Sequence, residues 1–220
     1  SISSSDRAIE LAKKYNFIYA TIGVSPNDIP ETKENWIQEK KELMKRYKEN
    51  SKIVAIGEIG LDYYWNKENK ELQKKVFLDQ IELANEWNLP IVIHTREAVM
   101  DTISILKKTK KSDRKGVFHC CPLNPELVKE AIKLGFYISF AGPITFKNSK
   151  NADEIIRLVP EEKMLIETDS PYLSPEPNRG KRNDSRNIKY IVRKIATVLK
   201  KDEEEIANKT YSNACQLFKI

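Results

Sequence analysis

No apolar run in this 220-residue chain approaches the ~20 residues that a bilayer-spanning helix requires, so the sequence predicts no membrane span. The first residues, SISSSDRAIELAKKY, lack both the basic start and the apolar core of an export signal. Cysteine is scarce: Cys120, Cys121 and Cys215 are the three present, and the adjacent two are poor partners for each other. No disulfide framework is visible, and a reducing cytoplasm is the expected setting. A G-x-G-x-x-G turn and a nucleotide P-loop are both missing, which removes the usual signatures of dinucleotide and nucleotide binding. Histidine is rarest of the chemically useful residues, with two in the chain, His94 and His119.

What the chain does have is an apolar fraction of 40% and a charged fraction of 32%, the composition of a globular protein with a sizeable core. Its length fits one domain over 1–220. The formal net charge of +6 permits a polyanionic partner without requiring one. Most lysines interleave with glutamates, as in QEKKELMKRYKE at 38–49, and read as a solvated helix face.

Apolar runs alternate with amphipathic ones along the whole length. Strands are expected at Phe17–Val24, Lys52–Asp62, Leu89–Ile93, Gly116–Phe118, Phe136–Ala141 and Met164–Thr168. Helices are expected at Asp6–Tyr15, capped by Asp6, and at Glu31–Glu49, Asn69–Trp87 and Ala98–Lys107. Further helices are expected at Asn124–Leu134, closed by Gly135, at Ala152–Leu158, and at about Arg186–Leu199 and Glu203–Phe218. A proline-rich basic loop, SPYLSPEPNRGKRND, follows the last strand. Strands alternating with helices imply an α/β fold with a parallel sheet, either doubly wound and open or most of a TIM (β/α)8-type barrel.

The barrel is favoured by what stands at the strand ends. Glu58 sits in IVAIGEIGLDYY, where a carboxylate interrupts a buried run and needs a partner. His94 follows PIVI, His119 follows GVF, and Asp169 lies just past MLIET. Any one of them alone reads as a salt-bridge, capping or core residue. Four imidazole and carboxylate groups at the ends of four apolar strands read as a divalent-metal site, because a β/α barrel gathers those ends on one face. Cys120 and Cys121 are expected to be partly buried thiols rather than ligands.

GEIGLDYY, PIVIHTREA, GVFHC, ETDSPYLSP and RGKRN, in this order, resemble the TatD family of metal-dependent deoxyribonucleases within the amidohydrolase group. The resemblance covers essentially Ser1 to Ile220. It implies a barrel with one or two divalent ions (Mg, Mn or Zn), with Glu58 bridging them, His94 and His119 on one, and Asp169 on the other while assisting proton transfer. It further implies a hydrolase that cleaves DNA phosphodiesters, an exonuclease acting on single strands or 3′ ends, with no obligate protein partner and no membrane. Two cations ~4 Å apart would serve both attacking and leaving oxygens.

The chain also departs from the family. The His-x-His pair expected on a first strand is absent, and six strands stand where eight are expected. The resemblance therefore implies roughly 40–60 further residues, two strand-containing units, ahead of Ser1. Ser25 in GVSP stands where the family often has histidine, and HCCPLNP replaces HCFSG. Arg96 is placed either to grip a phosphate with its planar fork or to pair with Asp62 or Glu97. Arg179, with Lys181 and Arg182, either tracks a nucleic-acid backbone or is merely solvated. Two other functions fit the same residues: hydrolysis of a small ester, lactone or amide, and an inactive scaffold if the His-x-His pair is truly lacking.

Overall fold

The computed structural model describes residues 1–30, 33–48, 51–109 and 115–220. The chain divides into two compact units, Ser1–Gly116 and Val117–Ile220.

The first unit opens with α1 (Ile2–Lys14), whose cap is Ser1 rather than Asp6. The Ser1 hydroxyl accepts from the Ser4 N–H at 3.3 Å, and the serine run so supplies an earlier cap than the expected one. Asp6 is instead engaged by the Arg46 guanidinium of α2 (Lys33–Lys48), at 2.9 Å. The outer residues of the expected second helix, Glu31 and Glu49, lie outside the described residues. β1 spans only Ala20–Ile22, shorter than the expected Phe17–Val24. The Lys52 ammonium donates to the carbonyls of Tyr15, Asn16 and Ile18 at 2.7–3.1 Å, holding that segment in a turn that leaves Phe17 79% exposed.

β2 (Ile53–Asp62) and β3 (Ile91–Arg96) are the long staves of this unit, and β1, β2 and β3 pair parallel in chain order. β3 begins and ends two or three residues later than expected, so His94 lies within the strand rather than after it. α3 (Lys70–Glu86) packs the expected Val76, Phe77, Ile81, Leu83 and Ala84 inward, each large apolar chain contributing about 1.5–3 kcal/mol. Two buried glutamines break its apolar face for a reason. Gln80 exchanges hydrogen bonds with the Val24 backbone at 2.8 and 3.0 Å. Gln73 does the same with Asp62, at 2.9 and 3.0 Å. α4 (Val99–Lys108) is tied to β3 by a buried Thr95–Thr102 hydroxyl contact of 2.9 Å.

In the second unit, β4 (Gly116–Phe118, of which Val117 and Phe118 belong to this unit), β5 (Tyr137–Phe140) and β6 (Met164–Ile166) pair parallel in chain order. β4 and β5 are buried throughout, as non-alternating runs demand. α5 (Pro125–Lys133) starts with proline after the Asn124 cap, whose side chain accepts from the Leu127 N–H at 3.0 Å. Gly135, at φ 90, closes it as expected. α6 (Ala152–Leu158), α7 (Ile188–Leu199) and α8 (Glu203–Phe218) complete the unit. β6 stops at Ile166, short of the expected Thr168, so Glu167 to Asp169 lie beyond the strand.

Candidate metal centre

Glu58 owes its direction to an irregularity in β2. The pairing with β3 runs Gly57 with Val92 and then Ile59 with Ile93, leaving Glu58 as the extra residue. Such a bulge re-aims the side chain it carries. The glycines on either side make it possible. A Cβ on Gly57 would come within 2.5 Å of the Val92 Cβ, and one on Gly60, at φ +143, would overlap the His94 carbonyl. The GEIG sequence thus brings the backbone of β2 hard against the strand that carries His94.

In the first unit Glu58 and His94 are brought together, with the Glu58 Oε1 3.1 Å from His94 Nδ1. The other ring nitrogen, Nε2, lies 2.9 Å from the Oδ2 of Asp62, which is fully buried. Burial pushes the Asp62 carboxyl upward. The Trp65 N–H, the His94 ring and the Tyr64 N–H overcome that push and hold it below its ordinary range. Asp62 is therefore an acceptor only, and His94 Nε2 must carry the proton between them. A metal-binding His94 would then use Nδ1, an acceptor in the neutral ring, and that atom faces a Glu58 carboxylate oxygen. Two acceptors at that separation call for a cation or a proton, and the Glu58–His94 pair fits a divalent ion on this ground. Asp62 is the carboxylate partner that orients a metal-binding imidazole.

In the second unit His119, immediately after β4, Glu167 and Asp169 each offer one ligand atom, all within 4.8 Å of one another. His119 Nδ1 stands 3.1 Å from Glu167 Oε1. Asp169 is in the left-handed region at φ 56, which aspartate tolerates better than most residues. Its loop is clamped by buried Asn183, the last residue of RGKRN. The Asn183 amide donates to the carbonyls of Thr168 and Tyr172 at 2.6 and 2.7 Å, and its oxygen accepts from the Asn187 amide at 2.8 Å. This trio of imidazole and two carboxylates also suits a divalent cation.

Glu167 was not among the residues singled out by sequence. The signal was present: Glu167 and Asp169 are two apart at the end of an apolar strand, and side chains two apart share a face in extended chain. Cys120 is half-buried and Cys121 buried. Burial, and then the charge of Glu167, push the Cys121 thiol up, so it stays protonated. Arg96 makes neither expected ion pair among the described residues. Its guanidinium lies 3.9 Å from the Tyr64 ring centre and 5.5 Å from that of Trp65. Arg179 is exposed, 4.1 Å over the Phe146 ring and 3.3 Å from the Asn148 side-chain oxygen.

The family model described as "TatD related DNase" matches residues 1–219. The chain belongs to the TatD family. It is 46% identical over 217 residues to YabD of Bacillus subtilis, described as an uncharacterized metal-dependent hydrolase, covering 97% of this chain and 82% of YabD. It is 40% identical over 179 residues to YcfH of Escherichia coli, described in the same words, covering 81% of this chain and 68% of YcfH. Among solved structures, the TatD homologue YjjV of Escherichia coli superposes with a TM-score of 0.90 at 25% identity, covering 100% of this chain and 83% of YjjV. The fold of this TatD protein is thus of the TIM (β/α)8-barrel type, six of whose eight strands lie in the chain. It is a metal-dependent hydrolase. No helix among the described residues is long and apolar enough to cross a membrane.

Proposed function

We propose that the protein is a deoxyribonuclease that cleaves phosphodiester bonds in single-stranded DNA or at 3′ ends, as an exonuclease. The observation that carries this reading is the set of histidine–carboxylate groups, Glu58 with His94 inside β2 and β3, and His119 with Glu167 and Asp169 just past β4 and β6. In this reading Glu58, His94, His119 and Asp169 hold one or two divalent ions, Mg, Mn or Zn. A divalent ion bound there supplies Lewis-acid polarisation of the phosphoryl group and a more acidic water.

The remaining work falls to the chain's own groups. Asp62 fixes the His94 ring by taking its Nε2–H, so that Nδ1 faces the ligand side. Asp169 would assist proton transfer from the attacking water, and the two Glu58 oxygens would serve as metal ligands. The Arg96 guanidinium makes no hydrogen bond among the described residues, and its five N–H donors suit a phosphate fork. Arg179 contributes a second positive charge to the DNA backbone. The scarcity of cysteine, three residues in the chain, suits a reducing, cytoplasmic setting.

The test is hydrolysis by the metal-loaded protein of an end-labelled single-stranded oligonucleotide beside a panel of small esters, lactones and amides. Metal-dependent strand shortening is the expected outcome; turnover of the small panel alone would refute the nuclease reading. Glu58→Ala is expected to abolish strand cleavage with little loss of helical circular dichroism.

A further inference from the structure

Directly beyond the Glu58–His94–Asp62 group, β2 runs into two aromatic residues that the chain leaves in solvent. Tyr64 is 44% exposed and Trp65 69% exposed, and their rings meet edge to face with centres 4.8 Å apart. Single exposed aromatics are ordinary, but two adjoining rings displayed beside the Glu58–His94 group form a surface suited to a ligand. The display is also rigid. The backbone N–H groups of Tyr64 and Trp65 both donate to Asp62 Oδ1, at 2.9 and 3.0 Å. The same carboxylate, through its other oxygen, takes the His94 ring proton. Tyr63 bonds back to the Arg96 carbonyl at 2.9 Å, which ties the aromatic turn to the end of β3. One buried acid therefore sets both the imidazole and the aromatic pair.

The Arg96 guanidinium completes the surface by lying over both rings. A planar cation stacked on aromatic faces, with its N–H edge unspent, is the combination that grips an unpaired nucleotide. The base stacks on the ring and the phosphate meets the guanidinium.

We propose that Tyr64, Trp65 and Arg96 form a stacking platform for an unpaired nucleobase of the DNA substrate, next to the Glu58–His94 group. This rests on the nuclease reading above and sharpens it. A base inside a duplex has its faces covered by its neighbours, so the platform selects single strands and frayed ends over paired DNA. It also separates polynucleotides from small esters, which have no base to stack.

Trp65 itself reports on this. Trp36 is fully buried and Trp87 is stacked on Tyr47 with ring centres 4.2 Å apart, so base-dependent quenching of tryptophan emission is assigned to Trp65 and should vanish in Trp65→Phe. The metal-loaded protein is titrated with a short single-stranded oligodeoxynucleotide, with an abasic strand of the same length, and with the duplex. Base-bearing single strand is expected to quench and to bind about tenfold more tightly than the abasic strand, and that difference is expected to collapse in Trp65→Ala. Trp65→Phe keeps a ring and is expected to keep most of the preference, which separates stacking from misfolding.

Equal binding of abasic and base-bearing strands by the unaltered protein, or an undiminished preference in Trp65→Ala, overturns the platform. If strands are cleaved but no base preference exists, the platform fails and the nuclease reading stands. Base-dependent quenching with no cleavage under any divalent ion has the reverse meaning.

Discussion

Asp62→Asn isolates a single proton. The Asp62 side chain is 1% exposed and accepts from Tyr64 N–H and Trp65 N–H on Oδ1, and from the His94 ring and, at 3.4 Å, the Asn27 amide on Oδ2. Asparagine keeps one oxygen, which can continue to serve the two backbone donors, so the turn at 63–65 survives at a cost of about 1 kcal/mol. Its amide nitrogen, however, replaces the acceptor at Oδ2 and meets a ring N–H with a second donor. The ring relieves this by moving its proton to Nδ1, the atom 3.1 Å from Glu58. That atom then has no lone pair for a cation. Loss of a carboxylate that orients a metal-binding histidine costs about 10- to 100-fold in metal affinity, or about 1.4–2.7 kcal/mol. Asp62→Ala is different in kind, because it also strands two N–H groups and adds roughly 2–6 kcal/mol of instability at about 1–3 kcal/mol each. Calorimetric titration with Mn or Zn, alongside thermal melts, separates the two variants. Wild-type metal affinity in Asp62→Asn would refute the tautomer argument, whatever the melts show.

Other perturbations give simpler readouts. Gly60→Ala places a Cβ against the His94 carbonyl at a φ of +143, and a loss of more than ~2 kcal/mol is expected by denaturant unfolding. Asn183→Ala removes the amide that clamps the Thr168 and Tyr172 carbonyls, and is expected to cost about 2–4 kcal/mol at ~1–2 per bond and to weaken metal binding at Asp169. Asp101 is held below its ordinary pKa of 3.8, first by the Tyr63 hydroxyl and then by the Lys74 ammonium. A carboxyl lowered on folding stabilises above its unfolded pKa and loses that stabilisation as pH falls through the folded one. The stability gap between the wild type and Asp101→Asn is therefore expected to be constant above about pH 5 and to close below about pH 3.8, by melts across that range.

The positions of the six strands were legible because buried parallel staves are written as unbroken apolar runs, and IVAIG, PIVI and FYISF are such runs. Their ends were less so. FIYATIGV reads as one strand through Phe17, yet Lys52, distant in sequence, captures three carbonyls there and bends the chain away. Asp6 looked like a cap for want of knowing that Arg46 would take its carboxylate. Both misreadings have one cause: a charged side chain from another element outbid the local signal, and no local pattern records it.

The site residues divide along a similar line. Glu58, His94, His119 and Asp169 stood out because a polar group ending an apolar strand is costly without a purpose. Asp62 and Asn183 did not, because their work is done one bond further out. Asp62 is written into GLDYY as an acid followed by aromatics, a pattern equally suited to a turn, and only burial shows that His94 rests on it. RGKRN drew attention through its cations, whereas Asn183, the one uncharged residue there besides glycine, is what holds the Asp169 loop. The cations of that segment are exposed and spend little on the fold. A buried amide with four partners cannot be exchanged without stranding some of them. In this chain the residues whose loss should most disturb the metal site are thus not all ligands, and the most informative variants are those that leave every ligand in place.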